Sequence, residues 1–222
     1  MYAAAITRGE LDWPTDRLPA VPSYELSGVV EDVAPGVAGV DIGDEVFALT
    51  PFDRDGVAAE YAAVPASILA PKPRALDHVE SAALPMGGLS AWQGLFDHGE
   101  LEAGQRVLIR GANGGVGHVA VQLARAVGAE VVETDADLVF DTVGGDGLTG
   151  RKIVSVAEEQ PGATYFVVEP NRDQLVELAR FADEGLLEPA VDTVFPLEDA
   201  QAAFERLAER GKRGKVVLRV SR

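Results

Sequence analysis

Apolar residues fall in short runs through the first 75 positions, without a helical period. Leu26 to Val33 is one such run, and Gly36, Gly39 and Gly43 then mark turns. Glu45 to Leu49 and Glu60 to Val64 read as further short strands, before Pro65, Pro71 and Pro73 break regular structure. Short strands between glycine turns predict a small barrel-like β-domain. The pattern changes at Leu76. Asp77 and Glu80 have the spacing of a capping box, in which each side chain satisfies the other residue's amide, and a helix-rich segment follows through Phe96. Arg106 to Arg110 is a compact strand. Beyond Gly117, the residues Val119, Ala120, Leu123, Ala124 and Val127 recur at helical spacing, so one face packs on a sheet and Gly128 ends the helix. Val131-Val132 opens another strand. Asn171 caps a helix to about Glu184 with Gly185 as its stop, Leu197 to Ala208 is a second helix, and Lys215 to Val220 is the last strand.

Between the strand at Arg106 and the helix after it lie Gly111, Ala112, Asn113, Gly114, Gly115, Val116 and Gly117. Strand, glycine loop and amphipathic helix in this order suit a pyrophosphate: missing side chains let backbone amides approach it, and the helix presents its positive end. A tight strand-to-helix turn without a ligand has the same pattern.

Composition narrows the chemistry. The 222 residues carry a formal charge of -17, and such a surface repels phosphate backbones and anionic lipid, so nucleic acid and membranes are poor partners. The absence of cysteine removes disulfides, thiolate metal sites and a thiol nucleophile. The first residues lack the basic-then-apolar pattern of a signal peptide, and no apolar run reaches the ~18 residues of a membrane span. A cytoplasmic protein acting on a small molecule is the expectation.

Several stretches together resemble a known family. They are Pro22 to Val30, Gly43 to Leu49, Ala59 to Pro65, Ala82 to Trp92, Ala112 to His118, Phe140 to Gly145 and Gly214 to Leu218. In this order they are similar to the zinc-free, quinone-oxidoreductase-like (enoyl-reductase-like) branch of the medium-chain dehydrogenase/reductase family. The resemblance implies an α/β protein: a chaperonin-10-like β-domain over residues 1–80, closed by 190–222, and a reduced Rossmann-type parallel-sheet domain over 81–189. It also implies a homodimer through the Rossmann domain, and NADPH or NADH lying across Gly111 to Gly117 near Ser90, Thr142 and Gly144. Tyr24 and Glu25 occupy the position where zinc-dependent relatives have a ligand histidine followed by glutamate. They are therefore candidate cleft residues with Asp53, the phenol donating to a substrate carbonyl and a carboxylate tuning it. A packed tyrosine beside a salt-bridged glutamate is the plain alternative. Zinc is not expected, because His78, His98 and His118 stand singly and no cysteine is present; His118 reads as structural.

The chain also departs from the family. Arg8 to Ala20 stands in place of a much longer segment, and Gly147 to Val156 is compressed. Val131 to Thr134 leads through Asp135-Ala136-Asp137 directly into Leu138 to Asp141, where relatives have a helix, a strand and a further connection. Parallel strands ordinarily need a crossover of about a dozen residues, so a hairpin, one long bent strand or an exchange between subunits is expected here. The acidic residues Glu133, Asp135 and Asp137 repel the 2′-phosphate of NADPH; an acid at this distance from the glycines can bond the ribose of NAD, though an ordinary acidic turn reads the same way. Three functions stay open: a quinone or enone reductase, a cofactor-free enzyme performing cyclisation, isomerisation or dehydration in the same cleft, and a non-catalytic module.

Overall fold

The computed structural model describes residues 3–6, 20–145, 147–209, 211 and 213–220. In chain order the elements are β1 (Ala3–Ile6), β2 (Glu25–Val29), β3 (Glu45–Leu49), β4 (Ala70–Pro71), α1 (His78–Ala82), α2 (Pro85–Trp92), β5 (Arg106–Arg110), α3 (Gly117–Ala126), β6 (Glu130–Val131) and β7 (Leu138–Asp141). Then come β8 (Lys152–Ser155), β9 (Thr164–Tyr165), α4 (Arg172–Asp183), β10 (Val191–Pro196), α5 (Ala200–Ala208) and β11 (Lys215–Arg219). They form two sheets. One has the order β10-β11-β1-β2-β3-β4, antiparallel except for the β10/β11 pair; the other is wholly parallel, with the order β6-β5-β7-β8-β9.

Local signals in the sequence act as chemistry dictates. The Asp77 carboxylate accepts from the Glu80 amide at 2.8 Å, and Glu80 accepts from the Asp77 amide at 2.8 Å. Asn171 accepts from the Gln174 amide at 3.1 Å, while Gly185, at φ 72°, ends α4. On β10, Asp192 receives both Arg206 Nε and Nη2 at 2.8 Å, which docks α5 and holds the Asp192 carboxyl down to about 2.

Helix α2 continues into wider π-type turns over Gln93–His98 and sits between the sheets. Its glycines let neighbours come close. A Cβ on Gly88 would lie 2.7 Å from Leu178 of α4, and one on Gly94 would lie 2.2 Å from the Phe140 ring of β7. One continuous core therefore reaches from Phe47 and Leu49 of the first sheet through Leu84 and Leu89 to Val107 and Phe140 of the second.

Two sequence expectations are corrected. Glu60 to Val64 forms no strand: Ala62 and Val64 pack on Leu26 and Val46, but among the described residues this segment has no ladder partner, and β3 pairs instead with the two residues of β4. The segment packs only through these two half-buried residues, with Glu60, Tyr61 and Ala63 exposed, and apolar spacing alone does not make a strand when its amides find no neighbour. The expected replacement of a longer segment at Arg8 to Ala20 lies almost wholly outside the described residues.

The second correction concerns Asp135 to Asp137, which makes no hairpin, bent strand or exchange. Both β6 and β7 run parallel to β5, on opposite sides of it. This is possible because β6 stops at Val131, opposite Val107, and β7 starts at Leu138, also opposite Val107. The chain needs no climb back along a strand; it crosses only about two strand spacings, roughly 10 Å, which residues 132–137 span easily. The long-crossover rule holds for strands that must restart at the opposite end. Amides at both ends of this return bond β5, Val132 N to Val107 O at 2.9 Å and Asp137 N to Arg106 O at 2.8 Å. The Arg106 guanidinium grips the middle, donating to Asp135 O at 2.6 Å and Thr134 O at 3.2 Å, and Asp135 turns with φ 53°.

Replacing Arg106 by Met keeps the stem and removes both donors. Urea unfolding is expected to show a loss of about 1–2 kcal/mol, the net worth of two such bonds. An unchanged midpoint contradicts the role given to Arg106.

Candidate nucleotide-binding site

Strand β5 delivers the chain to Gly111, whose φ of 79° few other residues adopt. A Cβ there would lie 2.4 Å from Thr142 Oγ1, and that hydroxyl donates to Arg110 O at 2.7 Å, so the loop after β7 lies directly against the loop after β5. The turn closes with Gly114 N donating to Gly111 O at 2.8 Å. At the start of α3, a Cβ on Gly117 would be 2.1 Å from Gly111 O. Gly115 rests against two outside groups: its carbonyl oxygen is 2.4 Å from where a Cβ on Gly87 of α2 would be, and Lys215 Cδ is 3.1 Å from where its own Cβ would be. Ala112, Asn113 and Gly114 face solvent, and the N-terminal end of a ten-residue helix lies behind them.

His118 fixes the loop from within α3. Its Nδ1 is 2.8 Å from Gly114 O, and its Nε2 accepts from Ala190 N at 2.9 Å. Nδ1 must then carry the proton, giving one neutral tautomer. Burial lowers the His118 pKa, the bond to Gly114 opposes this, and the charges of Lys215 and Arg213 lower it further.

The loop after β7 is held by a buried carboxylate. Asp141 accepts from Arg110 Nη1 at 3.1 Å, Ser155 Oγ at 3.1 Å, Val143 N at 3.2 Å and Gly144 N at 3.2 Å. Thr142 and Gly144 are thereby set at the ends of β5 and β7, and Gly145 N adds a bond to Glu158 at 2.6 Å. Ser90 is buried in α2. Glu133 is exposed just past β6, on the wall of an open cleft of about 1430 Å³ that also includes Ala112, Asn113, Arg125 and Val132.

Tyr24, Glu25 and Asp53 belong to the first sheet and its turns, Glu25 lying at the start of α2. The Tyr24 ring is buried and meets Phe52 edge-on, with centroids 5.0 Å apart. Glu25 is fully buried: Oε1 accepts from Met86 N at the start of α2 at 2.9 Å, and Oε2 pairs with Lys215 Nζ. Asp53 is exposed at the turn after β3. Sequence reasoning did not single out Gly87, Asp141 or Lys215. The pairing of Lys215 with Glu25 spans 190 positions and leaves no local signature.

Zinc is tested by the donor set. The sequence has no cysteine, and among the described residues no group of three or more His, Asp or Glu is placed to hold a metal ion. His98 lies against the Phe166 ring, and His78 is 2.8 Å from Ser27 Oγ and 3.2 Å from Glu45. The residues present do not fit a zinc site.

Because the folded protein holds His118 neutral with a lowered pKa, this group's contribution is complete above the imidazole's ordinary value of 6.5 and is lost as pH falls below it. His78 is lowered by burial too and acts in the same direction. Stability measured by urea from pH 8 to 5 is expected to decline below about 6.5, with a clearly shallower decline in His118→Gln. An identical slope in the variant contradicts the assignment.

Comparison with known proteins agrees with this architecture. Residues 2–74 match the alcohol dehydrogenase GroES-like domain and residues 115–218 the zinc-binding dehydrogenase family. A protein of Arthroderma benhamiae named "Probable zinc-binding oxidoreductase, mitochondrial" is 30% identical, the alignment covering 99% of this chain and 87% of the relative. The NADPH-dependent alkenal/one oxidoreductase, chloroplastic, of Arabidopsis thaliana is 32% identical over 90% of this chain and 64% of its own length. The quinone oxidoreductase from Coxiella burnetii superposes with a TM-score of 0.87 at 28% identity, covering 99% of this chain and 89% of that one. The alignment to the Arthroderma protein runs to 288 positions against 222 residues here, so the shortening falls inside the matched region, as the six-residue return after β6 shows. With both sheets, the glycine loop and this near-complete coverage in agreement, the chain belongs to the medium-chain dehydrogenase/reductase family, in a shortened form.

Proposed function

We propose that the protein is a nicotinamide-dependent reductase of quinones or activated enones. The observation that carries this reading is the glycine loop, closed on itself at Gly111 and Gly114 and seated between α2 and Lys215, with its tip open to solvent at the N-terminal end of α3. Such a loop, with free amides at its tip and a helix N-terminus behind it, suits a pyrophosphate. The relatives named for alkenal/one and quinone substrates support the reaction class.

The residues present fit the phosphate-binding part of the cofactor. Amides of the loop and the N-terminal end of α3 would hold the phosphates, and the stem of Lys215, whose ammonium is paired to Glu25, packs beside Gly115 and keeps the loop in place. The Thr142 to Gly145 loop, fixed by Asp141, borders the nicotinamide side. When bound, the cofactor supplies a hydride, so the protein's task is positioning rather than dedicated acid–base chemistry. Tyr24 and Asp53, adjacent through Phe52, mark the substrate end in this reading. Glu25 is a positioning residue that fixes Lys215 and the start of α2. The exposed carboxylate of Glu133 just past β6 would repel a 2′-phosphate brought near it, which favours NADH over NADPH. Assembly as a homodimer belongs to the same reading, with exposed Tyr165 and Val167 at the outer edge of β9.

Calorimetric titration with NADH and NADPH tests the proposal. Saturable micromolar binding is expected, tighter for NADH; no binding of either at about 1 mM contradicts it and favours a cofactor-free transformation. Gly87→Ala supplies a second arm. Its Cβ would meet Gly115 O at 2.4 Å and must displace the loop without altering any loop residue. A loss of affinity of about tenfold or more is expected with unchanged circular dichroism, since displacements near 1 Å cost this much.

A further inference from the structure

We infer that the site recognises only the mononucleotide half of a nicotinamide dinucleotide, so that reduced nicotinamide mononucleotide replaces NADH as hydride donor. This rests on the reductase reading of the glycine-loop cleft. The two halves of a dinucleotide would meet very different surfaces. On the phosphate and nicotinamide side the backbone is tightly built. Gly111 abuts Thr142, Gly115 abuts Gly87 and Lys215, and Asp141 gathers Arg110, Ser155 and two loop amides.

On the adenosine side little is built. Strand β6 has two residues and is the edge of its sheet. The chain beyond it returns within residues 132–137 to β7 on the far side of β5, and every residue of that return is described. No helix or strand is formed past β6 to close over a purine. Val131 and Val132 are half-buried, Glu133 is exposed, and the cleft they border is open at about 1430 Å³. Pockets that enclose a ligand run to about 300–1000 Å³ and bury most of its surface. An adenine laid on Val131 and Val132 would have none of the return closing over it and a wide cleft rather than a fitted pocket around it, so it adds little binding.

The reaction balances without the adenosine. A hydride, one proton with two electrons, leaves C4 of the dihydronicotinamide and forms a C–H bond at the β-carbon of the enone. The enone π-electrons shift to oxygen, and a proton from solvent then adds at the α-carbon. The dihydronicotinamide is oxidised to the pyridinium, and the enone is reduced to a saturated ketone.

The test compares NADH, reduced nicotinamide mononucleotide and adenosine 5′-monophosphate by calorimetry, and the two hydride donors also by turnover of a simple vinyl ketone. Dissociation constants of the two nicotinamides within about tenfold are expected, with kcat/KM in the same range and the adenosine monophosphate more than about a hundredfold weaker. NADH binding more than about a hundredfold tighter than the mononucleotide overturns the inference and leaves the reductase reading standing. Adenosine monophosphate binding as tightly as NADH also overturns the inference. Failure of both nicotinamides to bind overturns the inference and the reductase reading together.

Discussion

The arrangement of this molecule depends on one buried carboxylate. Glu25 has no exposure to solvent, and an ionised carboxylate in such a place must be neutralised and hydrogen-bonded. Three elements meet that demand. Glu25 itself comes from β2, the amide of Met86 comes from the first turn of α2, and the ammonium of Lys215 comes from β11. The first sheet, the central helix and the closing strand are thus joined at one group. The joint extends to the glycine loop, because the stem of Lys215 lies against Gly115. Removing one partner would take from a buried charge the opposite charge beside it, which costs more than the pair contributes.

From that joint outward, α2 transmits position by close approach. Gly87 faces the Gly115 carbonyl at a distance that leaves no room for a side chain, Gly94 faces the Phe140 ring as closely, and Gly88 faces the end of the Leu178 side chain. The nucleotide loop is therefore set by packing as well as by its own hydrogen bonds. This helps explain how a shortened chain keeps the cradle. At the shortening beyond β6, the parallel sheet closes around the gap because β6 ends level with the start of β7.

Much of this was legible in the sequence because its causes are local. The Asp77/Glu80 box, the Asn171 cap, the limits of β3 and β5, and the glycine loop all depend on neighbouring residues. The family resemblance supplied the order of the two units. Glu60 to Val64 misled because its apolar pattern marks only a half-buried flank at Ala62 and Val64, while a strand also needs a partner. The route through Asp135 to Asp137 was unreadable because the usual crossover length assumes full strands, and nothing local says that β6 stops after two residues. The candidate site was legible at the loop and illegible at its supports. Gly87 reads as an ordinary helix glycine, and Lys215 gains its meaning from a partner near the other end of the chain.

All of these features bear on hydride transfer at the glycine-loop cleft. Its most direct test uses NADH carrying deuterium at one C4 position, each of the two labelled forms in turn, with an enone substrate and mass spectrometry of the product. One form is expected to place deuterium on the β-carbon of the saturated ketone and the other to place none, since a fixed nicotinamide offers one face. Product without deuterium from either form, or no product, contradicts it.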